Sequence, residues 1–323
     1  MSFEVGLGLQ TDKRPGEYAA LARLAEDGGF DVVTTFHDLW YQPSLPALLE
    51  IAQATSRVRI GPSCLNPYTL HPVEIAGQVA ALDLVSRGRA FLGLAAGAWL
   101  GELGIEQPRP ALAVAEAWQV VRRLLEGDRS GFEGEIFRLE AGKALAYEPP
   151  RMLVPLLVGT WSPRLTAFAA QQAEELKVGG SANPALVPVV RERLGTDRVG
   201  IVFGATTVVD EDGERARAYA RHRVAMYLAV VAARDPTGAV DPELVAAITA
   251  RVADGDLDGA ARLVSDGVLD LFAFSGTPAQ VGAQAEALFA AGASRVDFGS
   301  PHGIREQAGV ELLVRAVAPQ LPR

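Results

Sequence analysis

A histidine and an aspartate stand side by side at positions 37 and 38, directly after the β-branched run DVVTTF (31–36), and Trp40 and Tyr41 follow them. An imidazole beside a carboxylate can take up and return a proton near neutral pH, which is general acid–base chemistry. The alternative is an ordinary helix cap, because the helical segment LPALLEIAQ begins shortly afterwards. We expect His37 and Asp38 to be catalytic and the two aromatic side chains to line a substrate pocket.

A second notable stretch is GPSCLNPYTLHP (61–72), which follows a strand-like run and precedes a helical one. His71 stands before Pro72 at the start of that helix, so we expect a loop histidine near a helix N-terminus. Cys64 is the only cysteine in the chain, which excludes an internal disulfide and makes the cytoplasm the natural compartment. Without a positioned histidine its thiol is a weak nucleophile candidate, and we expect it to be buried.

The elements that must position these residues follow a regular alternation. Strand-like apolar segments occur at 3–9, 31–36, 57–61, 90–95, 155–159, 175–179, 200–209 and 295–300. Longer segments with apolar residues at helical spacing lie between them, and four of these end at glycine: Gly28, Gly127, Gly195 and Gly292. Strands that are almost continuously hydrophobic are typical of a parallel sheet covered on both faces. Eight β-then-α units predict an α/β fold, the (β/α)₈ TIM barrel, with an open doubly wound sheet as the alternative.

Two insertions interrupt the alternation. A hairpin-like segment, 131–140, follows the fourth helix, and a helical region, 212–275, separates the seventh strand from the eighth. No Gly/Ser-rich, Pro-rich or low-complexity linker divides the chain, so we expect one domain spanning 1–323.

In a barrel the chemistry lies on the loops that leave the C-terminal ends of the strands. Here these loops include AAGAWLGELG with Trp99, GTWSP with Trp161, and KVGGSANP (177–184). Aromatic side chains beside glycines suit a flat ring system, because glycine lets the backbone approach closely. The third loop offers a cradle of free backbone N–H groups for a phosphate, or is a simple turn. We find no metal-binding spacing, P-loop or G-x-S-x-G elbow, and expect no metal.

Charge and hydropathy exclude several partner classes. The net charge is −9 and the lysines and arginines are scattered, which disfavours nucleic acid and anionic membrane surfaces. The longest apolar run, VAMYLAVVAA, is far shorter than the roughly 18 residues of a membrane helix. The N-terminus lacks the pattern of a signal peptide. We therefore expect a soluble cytoplasmic protein.

The block GPSCLNPYTLHPVEIAGQVAALDLVSRGRAFLGLAAG (61–97) resembles the luciferase-like monooxygenase superfamily. It is most similar to the branch that uses the deazaflavin coenzyme F420, which includes methylene-tetrahydromethanopterin reductase and F420-dependent glucose-6-phosphate dehydrogenase. The segments AEDGGFDVV (25–33), 120–139 and PLLVGTWSP (155–163) support it. The resemblance implies a barrel with cofactor across the strand ends, a non-prolyl cis peptide at Ser63–Cys64 behind the ring, and a homodimer formed through outer helices.

Mapping this resemblance residue by residue gives a set of candidate cofactor-binding positions on four strand exits. These are Ser63, Cys64, Asn66, Gly97, Ala98, Gly159, Thr160, Trp161, Gly179 and Gly180. Trp99 joins Trp40 and Tyr41 as a candidate for the substrate pocket.

Two departures affect the expected proton chemistry. The F420 branch usually has Asp-His at the second strand exit, and this chain has the reverse order, His37-Asp38. Where the branch has G-x-G-E after the fourth strand, this chain has Gly97-Ala98, so a carboxylate that serves some members as proton donor is absent. Glu102 lies one turn further on, and we take it as the third catalytic candidate.

The resemblance implies an oxidoreductase that transfers a hydride between F420 and a small organic substrate. Two alternatives stay open: an FMN-dependent luciferase-like monooxygenase, and a flavin-binding barrel without catalysis. The missing acid at Ala98 favours the last of these, since a catalytic acid or base typically contributes about 10²–10⁴-fold.

Overall fold

The computed structural model describes residues 3–322. Its strands are β1 (Glu4–Leu9), β2 (Val32–Thr35), β3 (Arg59–Pro62), β4 (Leu92–Ala95), β5 (Phe132–Glu133), β6 (Arg138–Leu139), β7 (Leu156–Gly159), β8 (Glu175–Gly179), β9 (Gly200–Val209), β10 (Ala273–Gly276) and β11 (Arg295–His302). All eight strands predicted from the sequence are present, with ends that agree within two residues. Their residues are almost entirely buried, as continuous hydrophobic runs require.

The α-helices between the strands are α1 (Glu17–Asp27), α2 (Ser44–Ala54), α3 (Pro72–Ser86), α4 (Pro110–Glu126), α5 (Pro163–Gln172), α6 (Leu186–Leu194), α7 (Gly213–Ala232), α8 (Pro242–Ala253), α9 (Leu257–Leu263), α10 (Asp266–Phe272), α11 (Pro278–Ala291) and α12 (Glu306–Leu312). Shorter pieces are a 3₁₀ helix (Leu100–Leu103), a π-helical turn (Leu313–Val317) and a second 3₁₀ helix (Ala318–Gln320). Among residues 3–322, none of the helices is long and apolar enough to cross a membrane.

The helix ends follow the glycine signals with one exception. Gly127, Gly195 and Gly292 adopt left-handed backbone after α4, α6 and α11, as predicted. After α1 the left-handed residue is Gly29, not Gly28. A Cβ on Gly28 would lie 2.4 Å from a methyl group of Val314, so this glycine is required by close packing rather than by a cap.

The chain divides into two compact units. The N-terminal unit comprises 10–23 and 32–176, and the C-terminal unit comprises 3–9, 24–31 and 177–322. In the N-terminal unit β2 pairs in parallel with β3, and β4 pairs in parallel with β7. The isolated bridges Ile60–Ala90 and Leu65–Leu94 join β3 to β4. Parallel strands end at a common edge, so the loops that follow these four strands share one edge of the sheet.

In the C-terminal unit β11 lies between β1 and β9 and pairs in parallel with both. The predicted helical region 212–275 contains α7 to α10, but it ends in β10, which pairs in parallel with the last four residues of β9. The prediction was wrong at 273–275 because a short apolar run that continues a helical segment has no periodicity of its own.

The predicted hairpin in the N-terminal unit is confirmed. β5 and β6 pair antiparallel, with Phe132 opposite Leu139. The Glu116 carboxylate on α4 accepts three backbone N–H groups of the turn, from residues 135, 136 and 137, at 2.8, 2.8 and 2.9 Å. Burial pushes the pKa of Glu116 upward, but these three donors outweigh it and hold the pKa below its usual value. One carboxylate thus fixes the hairpin to α4.

The C-terminal unit also contains a buried charged cluster. Arg295 and Asp297 are two residues apart on β11 and so point to the same side, and Lys177 lies on β8. Asp297 Oδ2 is 2.7 Å from Lys177 Nζ, and Oδ1 is 2.9 Å from Arg295 Nε. All three side chains are almost completely removed from solvent. One carboxylate therefore accepts from two cations inside this unit.

Candidate active site

The His37–Asp38 pair lies in the loop after β2, and each side chain is held by a neighbour. His37 Nδ1 is 3.2 Å from Oγ of Ser44, a buried residue at the start of α2. Asp38 Oδ2 accepts from Gln10 Nε2 at 2.9 Å, and Gln10 Oε1 accepts the Thr11 backbone N–H. The residue before α2 is Pro43, so neither His37 nor Asp38 caps that helix and the capping alternative is wrong.

Partial burial moves the proton affinities of the pair in opposite directions. Burial lowers the pKa of His37, and the charge of Asp38 opposes that shift. Burial raises the pKa of Asp38, opposed by the hydrogen bond from Gln10 and by His37. The imidazole therefore stays neutral to lower pH than usual, while the carboxyl group keeps its proton to higher pH than usual. Such paired shifts are characteristic of acid–base sites.

The opposing shifts predict the effect of removing the aspartate charge. In Asp38→Asn the pKa of His37 should fall further, because the one interaction that raises it is lost. The measurement is an NMR titration of the His37 ring, assigned with a His37→Gln variant. Asp258→Asn, which alters the carboxylate beside His222 on α7 rather than the one beside His37, is the control and should leave the His37 titration unchanged. A rise in the His37 pKa in Asp38→Asn would contradict this assignment of causes.

The loop after β3 begins with the predicted non-prolyl cis peptide, Ser63–Cys64. Both residues are half-exposed, so the expectation that Cys64 is buried was wrong. The side chain of Cys64 fits because neighbouring strand residues are glycines. A Cβ on Gly159 would lie 2.8 Å from Cys64 Sγ. A Cβ on Gly93 would lie 3.2 Å from Sγ and 2.1 Å from the carbonyl oxygen of Pro62. Glycines on β4 and β7 thus let this loop lie close to both strands.

Asn66 and His71 shape the rest of this loop. Asn66 is buried, and its Oδ1 accepts the backbone N–H groups of Tyr68 and Thr69 at 3.1 and 3.0 Å, an Asx turn. The carbonyl oxygen of its side chain therefore organises the loop itself. His71 Nδ1 accepts the backbone N–H of Val73 at the start of α3. His71 is therefore the N-cap of α3, which agrees with the expected loop histidine near a helix N-terminus.

The loop after β4 carries the third catalytic candidate. Glu102 lies in the 3₁₀ helix Leu100–Leu103 and is exposed, as is Ala98 before it. Its Oε2 accepts from Nε1 of Trp40 at 3.0 Å. The structure therefore joins Glu102 to an aromatic residue of the β2 exit loop, not to His37 or Asp38. Trp99 is exposed in the same loop.

The remaining candidates lie after β7 and β8. Thr160 is buried and its Oγ1 accepts the backbone N–H of Ser162 at 2.9 Å, while Trp161 is half-exposed. Gly179 and Gly180 belong to the C-terminal unit, at the end of β8. The N–H groups of Gly180 and Ser181 both donate to the Gly204 carbonyl oxygen, at 2.6 and 3.3 Å.

The predicted cradle of free N–H groups in 177–184 is therefore wrong. The chain continues a ladder of hydrogen bonds with β9 past the end of β8, and Ala182 N–H donates to the Leu271 carbonyl oxygen. A backbone N–H that already has a carbonyl partner is not available to a phosphate.

Sequence reasoning missed two residues that orient the acid–base pair, Gln10 and Ser44. Gln10 directly follows β1, so a polar side chain at a strand exit was a usable signal. Ser44 carried no such signal, because its contact with His37 depends on the path of the loop between them. Within residues 3–322 no group of three or more His, Cys, Asp and Glu side chains could hold a metal ion.

Comparison with known proteins identifies the family. A model described as luciferase-like monooxygenase matches residues 1–295 of the chain. The chain belongs to the luciferase-like monooxygenase family. 5,10-Methylenetetrahydromethanopterin reductase of Archaeoglobus fulgidus is 30% identical to this chain over 339 residues, covering 99% of this chain and 100% of the relative.

Two further luciferase-like proteins are similar to this chain. F420-dependent glucose-6-phosphate dehydrogenase of Nakamurella multipartita is 32% identical over 238 residues, or 66% of this chain and 70% of the relative. The solved structure of coenzyme F420 dependent tetrahydromethanopterin reductase from Methanopyrus kandleri superposes with a TM-score of 0.88 at 26% identity, covering 99% of this chain and all of that chain. The predicted fold class, the (β/α)₈ barrel of luciferase-like proteins, is confirmed, and the open sheet is set aside.

Proposed function

We propose that this chain is an F420-dependent oxidoreductase that transfers a hydride between the deazaflavin and a small organic substrate. The observation that carries the proposal is the oriented His37–Asp38 pair at the same sheet edge as the half-exposed Ser63–Cys64 peptide. Two of the similar proteins, the glucose-6-phosphate dehydrogenase and the tetrahydromethanopterin reductase, are named as F420-dependent, which supports this choice of cofactor.

The residues at this edge fit a flat ring. Ser63 and Cys64, Gly97 and Gly159 follow or end three neighbouring strands, and all are half-exposed. Gly97 has left-handed backbone with φ 87°, and neither glycine presents a side chain. The missing Cβ positions face Cys64 and Asn66 rather than open space, so it is the partly exposed backbone of these three strand exits against which a planar group can lie. We assign the ring to this face of the N-terminal unit, with Asn66, Ala98, Thr160 and Trp161 beside it.

When bound there, F420 supplies the hydride chemistry. The protein supplies proton handling and orientation. Ser44 engages His37 Nδ1, so Nε2 is the ring nitrogen that takes up or returns a proton, and its lowered pKa keeps it a neutral base near pH 7. Gln10 holds Asp38 beside it. Trp40, Tyr41 and Trp99 form the substrate pocket of this proposal.

The oriented pair also argues against a non-catalytic barrel. A missing acid at Ala98 does not leave the edge without a proton carrier, because His37 and Asp38 are adjacent there and each is held by a hydrogen bond to a neighbouring side chain. The alternative of an FMN-dependent monooxygenase differs in its cofactor, so a comparison of F420 and FMN binding distinguishes the two functions.

Fluorescence titration of the purified protein with F420 and with FMN, each alone, tests the cofactor. We expect saturable binding of F420 and at least tenfold weaker binding of FMN. Trp161→Ala should weaken F420 binding by about three- to tenfold through lost ring contact. Tyr147→Ala, which removes an exposed ring outside the strand exits, is the matched control and should bind normally. Tight binding of FMN alone would replace this proposal with the monooxygenase alternative.

The proposal also covers the domain organisation, the oligomeric state and the cellular location of the chain. The family match over 1–295 and the relative that covers 99% of the chain support a single luciferase-like domain over 1–323. A cytoplasmic homodimer acting on a small molecule, without nucleic-acid or membrane partners, is consistent with the scattered basic residues and the single cysteine.

A further inference from the structure

A side-chain hydrogen bond joins the tips of two strand-exit loops of the N-terminal unit. The β2 exit loop (36–43) carries Trp40 and the β4 exit loop (96–104) carries Glu102, and the indole Nε1 lies 3.0 Å from Glu102 Oε2. β3 lies between the two strands that these loops follow. The contact therefore spans the Ser63–Cys64 exit between them.

The bases of both loops are fixed independently of this contact. In the β2 exit loop the Gln42 N–H donates to the Thr11 carbonyl oxygen. In the β4 exit loop the Gln107 side-chain amide donates to the carbonyl oxygens of Ala96 and Gly97. Loops with fixed bases that are joined at their tips by an exposed hydrogen bond can separate there without unfolding the strands beneath.

The tryptophans of the two loops occupy unusual backbone. Trp40 has φ 70° and Trp99 has φ 57°, a left-handed region that bulky residues seldom adopt. Both side chains are exposed, Trp40 by 75% and Trp99 by 44%. Burial does not hold an indole that is three-quarters exposed, so a directional contact must fix it. For Trp40 that contact is with Glu102.

The chemistry of the contact defines the part that Glu102 plays in it. An indole N–H can only donate, so in this contact Glu102 Oε2 is the acceptor and its role is to hold the ring of Trp40. The carboxylate is also exposed rather than enclosed beside the His37–Asp38 pair.

We propose that Glu102 is a positioning residue whose hydrogen bond to Trp40 latches the two exit loops and sets the width of the substrate pocket. This inference rests on the proposed function for its kinetic consequence, but not for the latch itself. The latch keeps Trp40 and Trp99 at a fixed separation, so its loss acts on substrate binding more than on the chemical step.

Three variants distinguish a role of Glu102 as hydrogen-bond acceptor for Trp40 from a role as catalytic acid. Glu102→Gln keeps an acceptor oxygen and removes the acid, Glu102→Ala removes both, and Trp40→Phe keeps a ring and removes the N–H. Amide hydrogen exchange of the protein without cofactor is the first measurement. We expect faster exchange in both loops, 36–43 and 96–104, for Glu102→Ala and for Trp40→Phe, and near wild-type exchange for Glu102→Gln. Glu106→Ala, an exposed acid in the segment that follows, is the matched control.

Steady-state kinetics give the second measurement. We expect KM for substrate to rise about three- to tenfold in Glu102→Ala and Trp40→Phe, with kcat within about twofold of wild type. The double variant should show no more than the larger single effect, because both changes remove one contact. Glu102→Gln should restore wild-type KM.

Two results would overturn the inference. One is unchanged exchange in both loops for Glu102→Ala. The other is a loss of kcat of about 100-fold in Glu102→Gln, which identifies Glu102 as the proton donor. If the wild-type protein neither binds nor uses F420, the proposed function fails, and hydrogen exchange still decides the latch.

Discussion

Alanine at position 37 or 38 is expected to lower kcat by about 10²–10⁴-fold while leaving the Kd for F420 within about threefold of wild type. The reason is that different residues at this sheet edge handle the proton and contact the cofactor. His37 and Asp38 are held for proton handling by Ser44 and Gln10, whereas the proposed ring face consists of backbone at Ser63–Cys64 and of glycines. Removing either side chain leaves that face intact.

The double variant sharpens the test. If the pair acts as a unit, the two alanines together should lower kcat about as much as the more damaging single change. His222→Ala, which removes an exposed histidine paired with Asp258 on α9, is the control and should leave kcat unchanged. Wild-type turnover in both single variants would remove His37 and Asp38 from the mechanism.

Alanine in place of Asp297 is expected to lower the free energy of unfolding by about 3–5 kcal/mol, measured by urea denaturation. The change removes the one carboxylate that accepts from both Lys177 and Arg295 and leaves those cations buried. Burial by itself raises the pKa of Asp297, but the charges of Arg295 and Lys177 outweigh it, and the net pKa lies below its ordinary value of 3.8.

The direction of that shift fixes the pH dependence. An aspartate whose native pKa is lower than its unfolded pKa stabilises the fold above the unfolded value, and the contribution is lost as pH falls through the native value. The difference in unfolding free energy between wild type and Asp297→Ala should therefore narrow only below about pH 4. Glu211→Ala is the control, since its pair with Arg315 is 2.9 Å long but 73% and 66% exposed. It should cost about 0–1 kcal/mol. Equal losses in the two variants would contradict the role given to burial.

The positions of the eight strands could be predicted from the sequence, because parallel barrel strands are buried on both faces and are therefore continuous hydrophobic runs. The charged residues inside those runs, Lys177, Arg295 and Asp297, were a signal that went unused. A charge within a buried strand needs a buried partner, and three such residues on two strands could have been paired before the structure was known. β10 was beyond reach, since its four residues continue an apolar helical segment.

For the candidate site, the loops that carry its residues could be predicted from the sequence, but the side-chain contacts between those loops could not. The rule that barrel chemistry lies at strand exits located His37, Asp38 and the Ser63–Cys64 segment. The contacts Gln10–Asp38 and Trp40–Glu102 join residues 28 and 62 positions apart. They depend on loop backbone such as the left-handed conformation of Trp40, which the local rules assign to glycine or asparagine.

The close fit around Cys64 constrains how this family member can diverge. A methyl group added at Gly159 would collide with the Cys64 sulfur alone, because its next nearest neighbours lie at 3.5 and 3.9 Å. Shortening residue 64 to alanine removes that collision, so an alanine at position 159 that is unfavourable beside Cys64 is tolerated beside an alanine at position 64. At Gly93 the obstacle is the Pro62 carbonyl oxygen at 2.1 Å, which no change at residue 64 relieves. The cost of a side chain at position 159 therefore depends on the residue at position 64, an epistatic pair, whereas the cost at position 93 is set by backbone and does not.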